Sequence, residues 1–311
     1  MTPDGLRYLS SRQVRELLPP VARQLELVRE TYRAMADGAV DVPAKLGLHP
    51  REGSFLHAMP AYLRDRDLVA MKWIAGYATN PVRGLPYLTG LIVLNDSETG
   101  LPIAIMDCAA VTAARTAAAS ALCVDELAPS GWSTAALVGF GVQARAHAAI
   151  LRHLNPDMRL RVATRRPGTV DEPGAEVVAS PREAVEGAEI VVTGIPLRAR
   201  LDEPVVGEWL EPECLVLPID YDACLHPALV AAASLFLVDD VDGFRGARAA
   251  GQFGGWPEPH GTVGGALADG PATVGGVRVC ANLGVGALDA AFAVAVLSAA
   301  VEREVGQLVE R

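Results

Sequence analysis

The sequence predicts an α/β protein built from a doubly wound parallel sheet and a second α/β domain. Three observations predict it. Between 133 and 240, short apolar runs (TAALVG, RLRVAT, EIVVTG, CLVLPID, SLFLVDD) alternate with longer polar or helix-forming stretches, and strands separated by helices imply a parallel sheet. From about Val42 to Ala104, apolar runs are separated only by short Gly-, Pro-, Asn- and Asp-rich turns, the texture of a mostly antiparallel sheet. Half of the 311 residues are apolar and 21% are charged, which excludes intrinsic disorder and leaves core enough for about two domains at roughly 150 residues each.

The elements follow in order. Val21, Leu25, Val28, Tyr32 and Met35 recur at helical spacing after the Pro19-Pro20 break, and Gly38 stops the run. Leu68–Ile74 and Tyr87–Leu94 are strands, and Asn95–Gly100 turns the chain between LIVL and LPIAIM. Ala109–Leu127 is rich in good helix formers and ends at Pro129-Ser130-Gly131. TAALVGFG is a strand running into glycines, and Gln143–Leu154 is a helix. Gly243–Gly276, dense in glycine and proline, reads as loop, and Leu288–Leu308 as a closing helix. The expected organisation is a domain over 1–129, joined by the C-terminal helix in 282–311, with a dinucleotide-binding domain at 130–281 between them.

Composition excludes several classes. Lys plus Arg is 27 and Asp plus Glu is 37, a formal charge of −10, which argues against nucleic-acid binding because phosphate neutralisation needs a basic face. The longest apolar stretch, Ala290–Val301, is too short for a membrane span, which needs about 20 residues. The opening MTPDGLRYLSSRQV has neither a basic nor an apolar leader region, and the five cysteines form no CxxC pair, so a cytoplasmic chain with reduced thiols is expected. Six histidines without HxH or HExxH spacing predict no metal site, and no G-x-S-x-G elbow is present.

The chemistry begins at Gly139-Phe140-Gly141-Val142-Gln143-Ala144, a G-x-G-x-x-A turn between a strand and a helix. The first glycine allows the bend, the second lets a pyrophosphate approach the backbone, and Ala144 lets the helix pack closely. The N–H groups of Val142 and Gln143 then face the phosphates, which makes the domain Rossmann-type. The next strand ends Val162-Ala163-Thr164-Arg165-Arg166, with no carboxylate for a ribose 2′-OH. Two guanidiniums and the Thr164 hydroxyl suit a 2′-phosphate, so NADP(H) is the preferred cofactor expected, with NAD(H) as the other option. Thr193, closing the strand EIVVTG, is a further candidate cofactor contact. Lys45, Lys72 and Arg115 stand in apolar or small-residue surroundings. A buried cation needs a partner. Where no internal carboxylate supplies it, a substrate carboxylate or phosphate is a reasonable counter-ion. His57, in SFLHAMPAYL, is a candidate pocket residue.

The block GLPYLTGLIVLNDSETGLPIAIMDCAAVTAARTAAASAL, the glycine turn and the later NLGVGALD together resemble the ornithine cyclodeaminase / mu-crystallin family over most of the chain. The resemblance implies a homodimer whose N-terminal α/β domain supplies the substrate pocket and dimer interface. It implies that Lys72 is the active-site lysine, that Arg115 grips a substrate carboxylate and that Thr116 touches cofactor phosphate. Lys45 falls where cyclodeaminases carry a carboxylate-binding arginine, and Asp220 matches the catalytic aspartate. Tyr221 and Asp222 replace the cyclodeaminase Pro-Gly, so Tyr221 would line a changed pocket and Asp222 competes with Asp220 for the catalytic role. The expected function is an NADP(H)-dependent oxidoreductase moving hydride between nicotinamide and the α-carbon of an imine or amino acid. The alternatives are an ornithine or lysine cyclodeaminase, and a non-catalytic NADPH- and ligand-binding protein.

Overall fold

In the computed structural model, residues 5–196, 199–269 and 275–310 are described. The first half runs β1 (Leu6–Leu9), α1 (Ser11–Leu17), α2 (Val21–Ala36), β2 (Val40–Asp41), β3 (Leu46–Leu48), β4 (Ser54–Leu63), β5 (Leu68–Tyr77), β6 (Leu88–Asp96), β7 (Pro102–Asp107) and α3 (Ala109–Leu127). It continues with β8 (Thr134–Val138), α4 (Val142–Leu154), β9 (Arg159–Ala163), β10 (Ala175–Val178), α5 (Pro181–Val185), β11 (Ile190–Thr193), β12 (Leu215–Pro218) and α6 (Pro227–Ala232). The remainder is β13 (Leu235–Val238), α7 (Val241–Ala249), β14 (Gly261–Thr262), α8 (Val263–Asp269), β15 (Arg278–Ala281), α9 (Gly286–Glu302) and β16 (Gln307–Val309). The chain divides into two units, 1–115 with 284–311, and 116–283, the division falling inside α3.

The first unit is built on a sheet of order β16-β1-β7-β6-β5-β4-β2, with β3 also pairing β4. The β4 to β7 strands are antiparallel hairpin neighbours. Their alternation is strict: Ala70, Lys72 and Ile74 point inward on β5, while Met71 and Trp73 stay exposed. Helix α9 covers the inward face, packing on β4, β5 and β6. Gly286 makes this possible, because a Cβ there would lie 2.8 Å from the Pro60 carbonyl oxygen.

Among the described residues the second unit holds a sheet of eight strands, all parallel, in the order β10-β9-β8-β11-β12-β15-β13-β14. The chain winds outward from β8 to β9 and β10, then returns to β11 on the other side. The carboxyl ends of β8 and β11 therefore flank a topological switch point, where ligands of such sheets bind. This is the doubly wound fold expected from the alternating strands and helices.

Two local expectations are corrected. Gly243–Gly276 is not all loop: it contains α7, β14 and α8 among its described residues, and Asp240 caps α7 by accepting from the Asp242 and Gly243 N–H groups, both at 3.1 Å. The closing helix ends at Glu302 instead of running to Leu308. The chain turns through Gly306, at φ +106°, into β16, which pairs antiparallel with β1. The short RVCA run is β15, inserted between β12 and β13. No helix among the described residues is long and apolar enough to cross a membrane.

Candidate functional site

In the first unit, Met59, Lys72, Ile92 and Met106 sit opposite one another across β4 to β7, so Lys72 projects into the face that α9 covers. Its side chain is 1% exposed and its Nζ lies 2.5 Å from Asp289 Oδ2 on α9. Arg115, on α3, donates from Nε to Asp289 Oδ1 at 3.1 Å. Gly284 accommodates this guanidinium, since a Cβ there would lie 2.7 Å from both terminal nitrogens. The partner that these two cations require is thus an internal carboxylate, the option left open by the sequence.

The electrostatics are not balanced, however. Two cations face one anion, so the buried cluster keeps a net positive charge. Burial lowers the Lys72 pKa to about 8; Asp289 opposes that fall and Arg115 adds to it. For Asp289, burial works upward, but the fields and hydrogen bonds of Lys72 and Arg115 win and hold its carboxyl below the usual range. Cys108, nearby, is pushed up to about 11 by burial and stays a thiol.

His57 shares the Lys72 face of β4, half-buried and stacked on Phe55 at 4.6 Å between centroids. Burial, then the fields of Lys45, His49 and Lys72, lower its pKa to about 4. It is neutral at pH 7. Lys45, half-buried, lies just before β3, whose Gly47 pairs with His57. Lys45, His57, Lys72 and Arg115 thus all belong to this unit.

In the second unit, Gly139 adopts φ +96°, and a Cβ there would come within 2.5 Å of the Gly194 carbonyl oxygen after β11. Gly141 caps α4 without any side-chain hydrogen bond, and nothing lies within 4 Å of where its Cβ would be. That open space, before the N-terminus of α4, fits a dinucleotide pyrophosphate. Ala144 is buried against the sheet. Thr164 accepts from the Arg166 N–H at 3.3 Å, and Arg165 and Arg166 are exposed. Thr116, on α3, is buried.

Asp220, just past β12, is buried and accepts from the Thr193 hydroxyl at 2.7 Å and from the Ile195 N–H at 3.0 Å. Burial raises its pKa; the Cys224 thiol, Thr193 and the Ile195 N–H partly offset this. The Thr193 hydroxyl is therefore directed at Asp220. Tyr221 follows at φ +64°, stacks on Phe253 at 5.2 Å and donates to the Leu283 carbonyl oxygen at 3.2 Å. Asp222 is engaged elsewhere, accepting from Arg200 and from the Phe253 N–H at 3.1 Å.

The sequence profile of the ornithine cyclodeaminase/mu-crystallin family matches residues 8–238. The chain belongs to this family. It is 35% identical over 253 residues to the nodulation efficiency protein NfeD of Rhizobium meliloti, covering 77% of this chain and 76% of that protein. It is 27% identical over 324 residues to an alanine dehydrogenase of Archaeoglobus fulgidus, covering 97% of each. The solved structure of an archaeal alanine dehydrogenase dimer with bound NAD superposes with TM-score 0.84 at 26% identity, covering 98% of both chains.

Two features of this family member escaped the sequence reading. Asp289 is one; it closes the NLGVGALD block, and the sign of its role is a lone carboxylate in the apolar run GALDAAFAVAV. The other is His147, fully buried on α4 and linked to the Gln143 carbonyl at 2.7 Å and to the Ser120 hydroxyl at 2.9 Å. Burial lowers its pKa to about 4, so it is neutral. A neutral ring satisfies both partners when Nδ1–H donates to the carbonyl and Nε2 accepts from serine. Among the described residues no group of three or more His, Cys, Asp or Glu could hold a metal ion.

Proposed function

We propose that this protein is an NAD(P)-dependent oxidoreductase that moves a hydride between nicotinamide and the nitrogen-bearing α-carbon of a small imino or amino acid. One observation carries the reading: Lys72 and Arg115, both buried, share a single carboxylate, Asp289. The surplus charge suits a substrate carboxylate, which would complete the cluster and fix the α-carbon in place. Lys45 lies within the same electrostatic neighbourhood and adds a point charge at its edge, while neutral His57 borders it.

The glycine turn, with Val142, Gln143, Ala144 and Thr116, holds the dinucleotide. Thr164, Arg165 and Arg166 favour NADP(H), because two exposed guanidiniums and no carboxylate stand where a 2′-phosphate would lie. The dinucleotide, when bound, supplies or accepts the hydride. Lys72, titrating near neutrality, can hold the carboxylate as an ammonium or release a proton. Asp220 is the proposed proton-transfer carboxylate, its raised pKa suiting the task. Thr193 orients it. Tyr221 is proposed as a pocket residue. A homodimer is supported by one face of this sheet, where Tyr8 on β1, Met71 and Trp73 on β5 and Leu91 on β6 are 37–41% exposed.

The test measures NADPH and NADH oxidation against cyclic imines and mixtures of α-keto acids with amines, with ammonia release from ornithine and lysine followed in parallel. Substrate-dependent NADPH oxidation is expected. Ammonia release without net cofactor turnover would identify a cyclodeaminase instead. Tight NADPH binding with no turnover across the panel would identify a binding protein. In Asp220→Asn a fall in kcat with unchanged cofactor affinity is expected; loss of cofactor affinity alone would leave Asp220 as a brace for β11.

A further inference from the structure

We propose that Arg145 is a positioning residue for the ribose 2′-phosphate, pinning the Thr164–Asp171 loop to α4 so that Arg165 and Arg166 present a fixed pair of cations. This rests on the NADP(H) reading above and extends it to a residue outside the glycine turn.

Arg145 is the first residue after that turn. Its guanidinium lies 4.7 Å from the centroid of the Phe140 ring. One terminal nitrogen donates to the Thr169 carbonyl oxygen at 2.8 Å, and the other pairs with Asp171. Stacking, hydrogen bond and ion pair together hold one planar group in one orientation. The guanidinium is spent on the loop, not offered to a ligand.

The loop transmits this anchor. Thr169 donates to the Arg166 carbonyl oxygen twice, from its N–H at 3.0 Å and its hydroxyl at 2.8 Å. The Val170 N–H donates to the Pro167 carbonyl oxygen at 3.1 Å, closing a short 3₁₀ turn over Pro167–Thr169. The Arg166 N–H in turn donates to the Thr164 hydroxyl at 3.3 Å. A continuous series of bonds thus runs from Arg145 through Thr169 and Arg166 to Thr164, the three-residue stretch that faces the 2′ position. Arg165 and Arg166 make no ion pair among the described residues. An exposed, mobile arginine loses much of its attraction for phosphate to the ordering it undergoes on binding, and a fixed loop removes part of that loss. Arg145 has a second effect: it neutralises Asp171, a carboxylate on the loop that would otherwise repel the phosphate.

The experiment is calorimetric titration of the full-length protein with adenosine 2′,5′-bisphosphate and adenosine 5′-phosphate, which differ only in the 2′-phosphate, alongside NADPH and NADH titrations by fluorescence. In Arg145→Met, affinity for the bisphosphate and NADPH is expected to fall about tenfold while affinity for adenosine 5′-phosphate stays within about twofold. In Arg145→Met/Asp171→Asn the loss is expected to persist, because the loop is still untethered. Recovery in the double variant would overturn positioning and leave only charge neutralisation. Equal losses for both probes in Arg145→Met would also overturn the proposal, as general damage to the turn. An Arg145→Met protein that keeps its full preference for the bisphosphate would overturn the Arg145 role and leave the NADP(H) reading standing. A wild-type protein that binds the two probes equally would overturn both.

Discussion

Asp289 Oδ2 on α9 lies 2.5 Å from Lys72 Nζ on β5, and the same carboxylate accepts from Arg115 through its other oxygen. One side chain therefore compensates two buried cations. Replacing Asp289 by Asn keeps the shape and removes the charge, leaving both cations with no ion-pair partner among the described residues. Such losses cost about 3–5 kcal/mol. Asp289→Asn is expected to show that destabilisation in urea unfolding, and added substrate carboxylate should restore part of it by mass action. A variant as stable as wild type would show that the cluster is not held by this pair.

Lys72 titrates where enzymes work. If its ammonium holds the substrate carboxylate, kcat/KM falls as pH rises through about 8, where the amine loses its proton. Lys72→Arg, always protonated, should remove that alkaline limb while lowering the maximum. The stability contribution has its own sign. The folded pKa lies below the ordinary lysine value of 10.5, so the unfolded chain binds more protons between about pH 8 and 10.5. This group's contribution to stability therefore rises with pH across that window. Lys72→Met should flatten that rise in unfolding measurements made from pH 7 to 10.5.

The parts of this fold that were legible in the sequence are those written locally. The apolar run LVAMKWIAGY marks β5, though with apolar residues on both of its faces it leaves the side that Lys72 takes to the structure, and GFGVQA marks the bend into α4. What was not legible depends on pairings that sequence distance conceals. Asp289 lies 174 residues from Arg115, and nothing in GALDAAFAVAV says which cations its carboxylate meets. β15 enters the sheet between β12 and β13, a choice made by tertiary packing. α7 hides behind its glycines at 243 and 246, and the overlooked sign was Asp240 as its cap.

His147 makes the second unit acid-sensitive. Its folded pKa, about 4, lies below the ordinary histidine value of 6.5, so the unfolded chain takes up the proton first. The stability this buried neutral ring contributes is complete above about pH 6.5 and is lost as pH falls toward 4, on the order of 3 kcal/mol in all. His57 titrates in the same window, so the comparison must be made against a variant. His147→Gln should be less stable at pH 7 and should show a flatter loss between pH 6.5 and 4. An unaltered slope would mean that the ring is reached by water and protonates freely in the native protein.

Gly139 and Gly141 stand two residues apart and should fail for different reasons. A side chain at Gly139 meets the Gly194 carbonyl oxygen at 2.5 Å from a backbone held at φ +96°. Gly139→Ala is therefore expected to destabilise the second unit by about 1–3 kcal/mol, seen as a lower urea midpoint, with cofactor affinity falling as a consequence. At Gly141 the corresponding space is open, and its φ of −100° is ordinary for any residue. Gly141→Val should fold with a midpoint lowered only by the loss of a good N-cap residue, because no protein atom lies within 4 Å of where its Cβ would be. It should nonetheless lose dinucleotide affinity about a hundredfold or more, since the added methyl groups occupy the space through which a pyrophosphate reaches the α4 N–H groups. Unimpaired NADPH binding by a well-folded Gly141→Val protein would show that the pyrophosphate does not sit on this turn, and would remove the basis for every cofactor role assigned around it.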